Sequence, residues 1–169
     1  ILLPILILLS LPLIFQSTPT EILKLKIFDA FVTTPEPSGN FVILNITEED
    51  VANEGGWPLP RRTLAQIQVD LINQGAIGVG WVISFPQADR MGGDETFATT
   101  LGYAPSVLAM FETPNGKYPK TTGTVIKGDN PGGMLTQGVV QNIQILQDKS
   151  SQGIATAPTD IDNLVRRIP

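Results

Sequence analysis

Four charged residues fall in loops at expected strand ends, where α/β folds place their ligands: Arg61, Asp89, Arg90 and Asp94. Arg61 would stand at the entry to a helix, near its N-terminus, and two uses for it stay open there. It could belong to the way that helix docks, or it could join the helix N-terminus in holding an anion. The chemistry available to these residues is bounded by what the chain lacks. There is no His in 169 residues, which removes Ser–His–Asp and Cys–His schemes, imidazole bases and His metal sites. There is no Cys either, which removes disulfides, thiolate zinc sites and iron–sulfur clusters. Paired carboxylates and an oxygen-only cation site remain in principle. No acid pair is evident in the sequence, so an enzyme working with Asp and Glu alone ranks last among the readings.

Three short motifs invite chemistry, and each has a plainer reading. Gly92-Gly93-Asp94-Glu95-Thr96-Phe97 nearly spells the Gly-Gly-Asp-Glu-Phe signature of diguanylate cyclases, with Thr96 inserted. Here it runs into a helical pattern rather than a second hairpin strand, with no basic phosphate-binding segment beside it. A Gly-Gly loop with Asp94 as helix N-cap is preferred. Gly128-Asp129-Asn130-Pro131-Gly132-Gly133 lacks the Lys-Ser or Lys-Thr of a phosphate loop and reads as a connector. Asp160-Ile161-Asp162-Asn163 has the opening of a calcium loop, but Leu164 stands where the next oxygen ligand belongs. No metal and no cofactor are expected.

The elements that must carry these residues alternate between strand and helix. Phe41-Val42-Ile43-Leu44-Asn45-Ile46 has the length and composition of a buried strand. Glu48 to Gly56 is a loop or one helical turn. Trp57-Pro58-Leu59-Pro60 is extended, since each Pro pushes its predecessor out of helical geometry. Thr63 and Gln66 have the spacing of a capping box, and Leu64, Ile67, Leu71 and Ile72 then share one helical face up to Gly75. Ala76 to Ile83 is a second strand, whose glycines suggest a helix packed closely over it. Asp94 opens a short helix through Leu101, and Ser106 to Phe111 is a third strand. Thr113 to Pro119 and Lys127 to Gly133 read as loops around a weaker strand at Thr122 to Lys127. Val140 to Leu146 fits both periods. Ile154 to Ala157 is a short strand, and Leu164 begins another. Alternation of this kind gives an α/β fold, a single domain with a largely parallel or mixed sheet flanked by helices.

The N-terminal segment sets the compartment. Ile1 to Phe15 carries no charge and includes Pro4 and Pro12, which would break a helix in water but are tolerated in a bilayer. It reads as the end of a transmembrane helix, and Glu21 to Asp29 as a short stalk helix or a strand. Thr34 to Asn40 is a turn cluster before the folded part. The divisions expected are residues 1–15 for the membrane span, 16–40 for stalk and linker, and 41–169 for the extracytoplasmic domain. Net charge is −5 with a pI near 4.6 and no basic stripe, so nucleic acid is excluded as a partner. Sixteen Gly and fourteen Pro argue against an all-helical bundle.

Two signatures give these features a family context. Trp57-Pro58-Leu59-Pro60-Arg61 enters the first long helix, and Asp160-Ile161-Asp162-Asn163-Leu164-Val165-Arg166-Arg167-Ile168-Pro169 closes the sequence. In this order they resemble the CHASE domain, type two, an extracytoplasmic sensory module of bacterial signalling proteins. The resemblance runs from about Leu25 to Pro169. It implies structural roles for Trp57, Pro58, Pro60, Asp160, Asp162, Asn163 and Arg166. Asn163 replaces a family Gly, a mild departure because Asn is the next-best occupant of a left-handed turn. Trp81-Val82 stand where the family often has an acid, while Phe85, Asp89 and Arg90 follow its pattern. The resemblance also implies a cytoplasmic cyclase or histidine kinase as output domain and no catalysis by this segment itself. The partners expected are the membrane, an unidentified small-molecule or protein stimulus, and a second copy in a homodimer of the full-length protein. The location expected is the bacterial inner (plasma) membrane, with the soluble part periplasmic or extracellular. The alternative is an anchored extracytoplasmic ligand-binding protein with no output domain.

Overall fold

The computed structural model describes residues 18–33, 36–118 and 137–166. The apolar run Ile1–Phe15, the strand expected at Thr122 to Lys127 and the loop expected at Lys127 to Gly133 lie outside them. No helix among the described residues is long and apolar enough to cross a membrane. The chain forms two compact units, one of residues up to Leu44 and from Ala157, the other Asn45–Thr156.

In the first unit α1, Thr18–Phe31, decides between the two readings of the stalk in favour of helix. Pro19 is harmless in the first turn, where its amide would be unpaired anyway, and Glu21 faces the positive end of the helix dipole. Beyond α1 none of the described residues up to Thr47 lies in regular structure. The expected strand at Phe41–Ile46 is absent. Phe41, Val42 and Ile43 are about 90% exposed, and the segment makes no backbone hydrogen bond to another described residue. β-propensity is the preference of a side chain for a pleated, half-buried neighbourhood, and no strand among the described residues supplies this run with one.

The second unit begins with α2, Glu48–Asn53, held by a capping box. The Thr47 hydroxyl accepts from the Asp50 amide at 3.2 Å, and Asp50 accepts from the Thr47 amide at 2.8 Å. α3, Arg61–Asn73, follows the cis Trp57–Pro58 bond. The capping box expected at Thr63 and Gln66 does not form. The helix starts three residues earlier, with Pro60 as N-cap, the Thr63 hydroxyl donates to Glu54, and the Gln66 amide donates to Asp70. Its end is as expected: Gly75 has φ +98, with its amide donating to Ile72 and that of Ala76 to Leu71. Leu64, Ala65 and Gln68 form its buried face.

The sheet is built on β2, Ser106–Lys117, which is longer than expected. Its first half lies between two parallel neighbours, β1 (Val79–Trp81) and β4 (Ser151–Ile154). Its second half pairs antiparallel with β3, Val139–Val140. Thr113 to Lys117 is therefore strand rather than loop. The ladder shifts register between Glu112 and Lys117, and Pro114, which has no amide to donate, falls inside that irregularity. β1 is shorter than expected, and no helix among the described residues approaches Gly78 or Gly80 closely. Gly80 faces open space, and a side chain at Gly78 would meet the Pro105 carbonyl. β4 lies a few residues before the expected Ile154 to Ala157. Val140 to Leu146 resolves into the end of β3 and α5, Gln144–Gln147. No strand begins at Leu164 among the described residues. Helices with a mostly parallel open sheet make the fold α/β.

α3 and α4, Asp94–Leu101, enclose an aromatic core. Phe97 is fully buried and meets Trp81 and Phe85 edge-on, each at 5.4 Å between ring centroids. Gln68 is buried beside them, fully paired: it accepts from the Trp81 indole at 2.8 Å and donates to Ser106 at 3.0 Å. Asn142 does the same for the loop after β1. Its carbonyl oxygen accepts from the Phe85 amide at 2.6 Å, while its NH2 donates to Ala109 and Gln152.

Candidate functional site

Three of the four candidate residues meet at the N-termini of α3 and α4, in the second unit. Arg61 is the first residue of α3, and its side chain is 8% exposed. The guanidinium carbon stands 4.3 Å from the centroid of the Phe85 ring, Nη2 donates to the Gln87 carbonyl at 3.4 Å, and Nε lies 3.4 Å from Asp94 Oδ1. Burial pulls the Arg61 pKa down, against the attraction of Asp94 and Asp89. Nε and Asp94 Oδ1 face each other without a well-formed hydrogen bond. The ion pair is therefore close in charge but poor in geometry.

Asp89 occupies the place an external anion would take. Its carboxylate accepts from the amides of Arg61 at 3.1 Å and Gly93 at 3.2 Å through Oδ2, and from Met91 at 3.0 Å through Oδ1. Burial raises its pKa, but the three amides and the Arg61 charge outweigh burial and hold it below the usual carboxylate range. Pro60, the N-cap of α3, has no side chain able to bond the free amides, and Asp89, 28 residues beyond Arg61, supplies the carboxylate instead. Asp94 is the first residue of α4 rather than its cap, which is Gly93. Its Oδ2 accepts from the Asp89 amide at 2.8 Å. Gly93 must be Gly, since a Cβ there would lie 2.8 Å from both Arg61 Cβ and the Arg62 amide nitrogen. Arg90 is exposed and stands outside this arrangement. An open cleft of about 490 Å³ lies instead at the N-terminal ends of β2 and β4, between residues 101–106 and 148–151, and none of the four candidates lines it.

The second cluster lies in the first unit. Arg166 makes two-pronged contacts to Asp29 of α1, with both N–O distances 2.7 Å, and to Asp162, at 2.7 and 2.6 Å. It also donates to Asp160 at 3.1 Å. Planar guanidinium matches carboxylate geometry in this bidentate manner, which a lysine cannot reproduce. The bond to Arg166, against some desolvation, holds Asp29 below its ordinary pKa and Asp162 at about 2. The three carboxylates push the Arg166 pKa up. The turn that presents the acids is closed by Asn163, φ +64, whose amide donates to the Asp160 carbonyl while the Asp160 amide donates to Leu164. That is the pattern of a three-residue hairpin loop with its last residue left-handed.

A family model described as CHASE2 domain matches residues 4–169. The chain belongs to the CHASE2 domain family. No curated protein and no solved structure matches it. CHASE2 domains are extracytoplasmic sensory domains of signalling proteins, and sensory rather than catalytic. Within this CHASE2 domain the two signatures fall in different units. Pro60 and Arg61 lead into the α3 cluster, with Leu59 buried and Trp57 59% exposed. Asp160, Asp162, Asn163 and Arg166 form the terminal turn. Asp29, Phe85 and Gly93 were not among the expected site residues. The signal for Asp29 was a lone carboxylate in the apolar run Ile27-Phe28-Asp29-Ala30-Phe31, which marks a charge in want of a partner.

Proposed function

We propose that this chain is the extracytoplasmic sensory part of a membrane-anchored bacterial signal-transduction protein. Residues 1–15 span the membrane, residues 16–40 leave it, and residues 41–169 carry the sensory fold. The stimulus passes to a cytoplasmic nucleotide cyclase or histidine kinase. Membership of the CHASE2 family over residues 4–169 carries the reading. The bidentate bond from Arg166 to Asp29 supports it, because it fastens the helix that follows the apolar run to the family's terminal turn. A signal that shifts this turn would then move α1, and with it the segment leading to the bilayer.

Reporter fusions after Phe15 and after Gly39 test the topology, and both should report the extracytoplasmic side. Cytoplasmic activity at either position would overturn it. Translation of the coding sequence beyond Pro169 tests the relay: a further span and a cyclase or kinase domain are expected, and a stop codon soon after would favour an anchored binding protein instead.

A further inference from the structure

Apolar residues run almost all round α1, a pattern normally found in helices covered on every side. One side is covered within the chain, where Leu25 is buried and Asp29, one turn on, is bonded to Arg166. At about 100° per residue the opposite side presents Leu23, Ile27 and Phe31, a stripe at four-residue spacing. These are 58%, 51% and 81% exposed.

We propose that this stripe is the seam along which α1 packs, in parallel, against α1 of a second copy of the chain. The inference rests on the anchoring read in the preceding section. With Ile27 at the a position of a heptad, Leu23 and Ala30 take d, and Lys24 and Lys26 take the flanking e and g positions. In a parallel pair each g residue faces the e residue five places on in the other helix. Lys26 then faces Phe31 of the second copy, and its stem and ammonium can lie over that ring. An antiparallel pair sets Lys24 against Lys24 and Lys26 against Lys26. Charge therefore selects the parallel pair, which is the orientation that two copies anchored in one membrane must share. A lipid surface fits less well, because Lys24 falls between Phe31 and Phe28 around the helix and interrupts the apolar face. So short a seam buries far less than the roughly 1,000 Å² of a stable soluble interface. The pairing depends on the anchor to concentrate the copies.

The absence of native cysteine makes single-cysteine scanning clean. In membranes carrying the chain with its N-terminal run, mild oxidation should link Leu23→Cys and Ile27→Cys into dimers. Glu21→Cys and Phe28→Cys, off the seam, should link several-fold less, because a disulfide needs Cα atoms within about 7 Å. Adding Ile27→Glu to Leu23→Cys should abolish its dimer. Equal linking at all four positions overturns the proposal. So does membrane-bound protein with no dimer at Leu23 or Ile27, including the case in which both positions are shielded from a water-soluble maleimide by lipid. Recovery of the chain in the soluble fraction would bring down the anchoring reading as well.

Discussion

Asp94→Asn isolates the charge of the Arg61 pair. Asparagine keeps an oxygen to accept from the Asp89 amide, so the 2.8 Å hydrogen bond survives. What is lost is the negative charge 3.4 Å from Arg61 Nε, in a site where the Arg61 side chain is 8% exposed. Removing one partner of a buried ion pair commonly costs about 3–5 kcal/mol. Two observations lower that figure here. The Nε–Oδ1 contact is not a formed hydrogen bond, and Arg61 keeps the face of Phe85, an interaction of about 0.5–2 kcal/mol, together with the Gln87 carbonyl. A loss of about 2 kcal/mol is expected. Arg61→Met removes the cation but fills the space, and should lose about 1–2 kcal/mol. In the double variant neither charge is left stranded, so its loss should fall short of the sum by about 1–2 kcal/mol. Urea unfolding of the wild type and the three variants measures this cycle, with unchanged m-values as the check that only stability has moved. Losses that simply add would refute the argument, because the charges would then be acting separately.

Four further outcomes are expected. With no His in the chain, stability should be flat from about pH 5 to 8. It should then fall with acid: the native-state pKa of Asp162 is lowered from 3.8 to about 2, so its contribution is complete above 3.8 and disappears as pH drops toward 2, as thermal melts at stepped pH would record. Asn163→Gly should be near neutral and Asn163→Val destabilising by about 1–3 kcal/mol by chemical denaturation, because only the former accepts a left-handed backbone cheaply. Gly93→Ala should lose about 1–3 kcal/mol in the same assay, its methyl being driven against the first turn of α3. Incubation with GTP or ATP and magnesium should give no cyclic product, since Asp94 is already engaged by Arg61 and the Asp89 amide; turnover that vanishes in Asp94→Ala would reverse this.

The sequence was most legible where structure is set by near neighbours. Gly75 ends α3 as its spacing indicates, the helical face of α3 includes Leu64, and Asn163 takes the left-handed turn. It was least legible where the deciding partner is remote. The start of α3 was misplaced because the carboxylate at its free amides comes from Asp89, while Thr63 is drawn to Glu54. Thr113 to Lys117 carries turn residues, yet β3 pairs with it and holds it in the sheet. Phe41–Ile46 has every local property of a strand but finds no partner strand among the described residues. Within the site, Arg61, Asp89 and Asp94 come together and Arg90 does not, a difference that charge in a loop at a strand end could not show. Asp29 lies 137 residues from Arg166, beyond the reach of any local pattern.

That separation also orders events on the ribosome. At a synthesis rate of about 5–20 residues per second, Asp29 is made roughly 7 to 27 seconds before Arg166 exists to engage it. The whole of Asn45–Thr156 emerges in the interval and has its own core to assemble. The first unit is thus begun first and finished last, and its early half must wait with the Asp29 carboxylate lacking the Arg166 guanidinium. A nascent chain stalled before Arg166 would still carry that unfinished half, which makes this helix the natural client of whatever protects the polypeptide as it is exported.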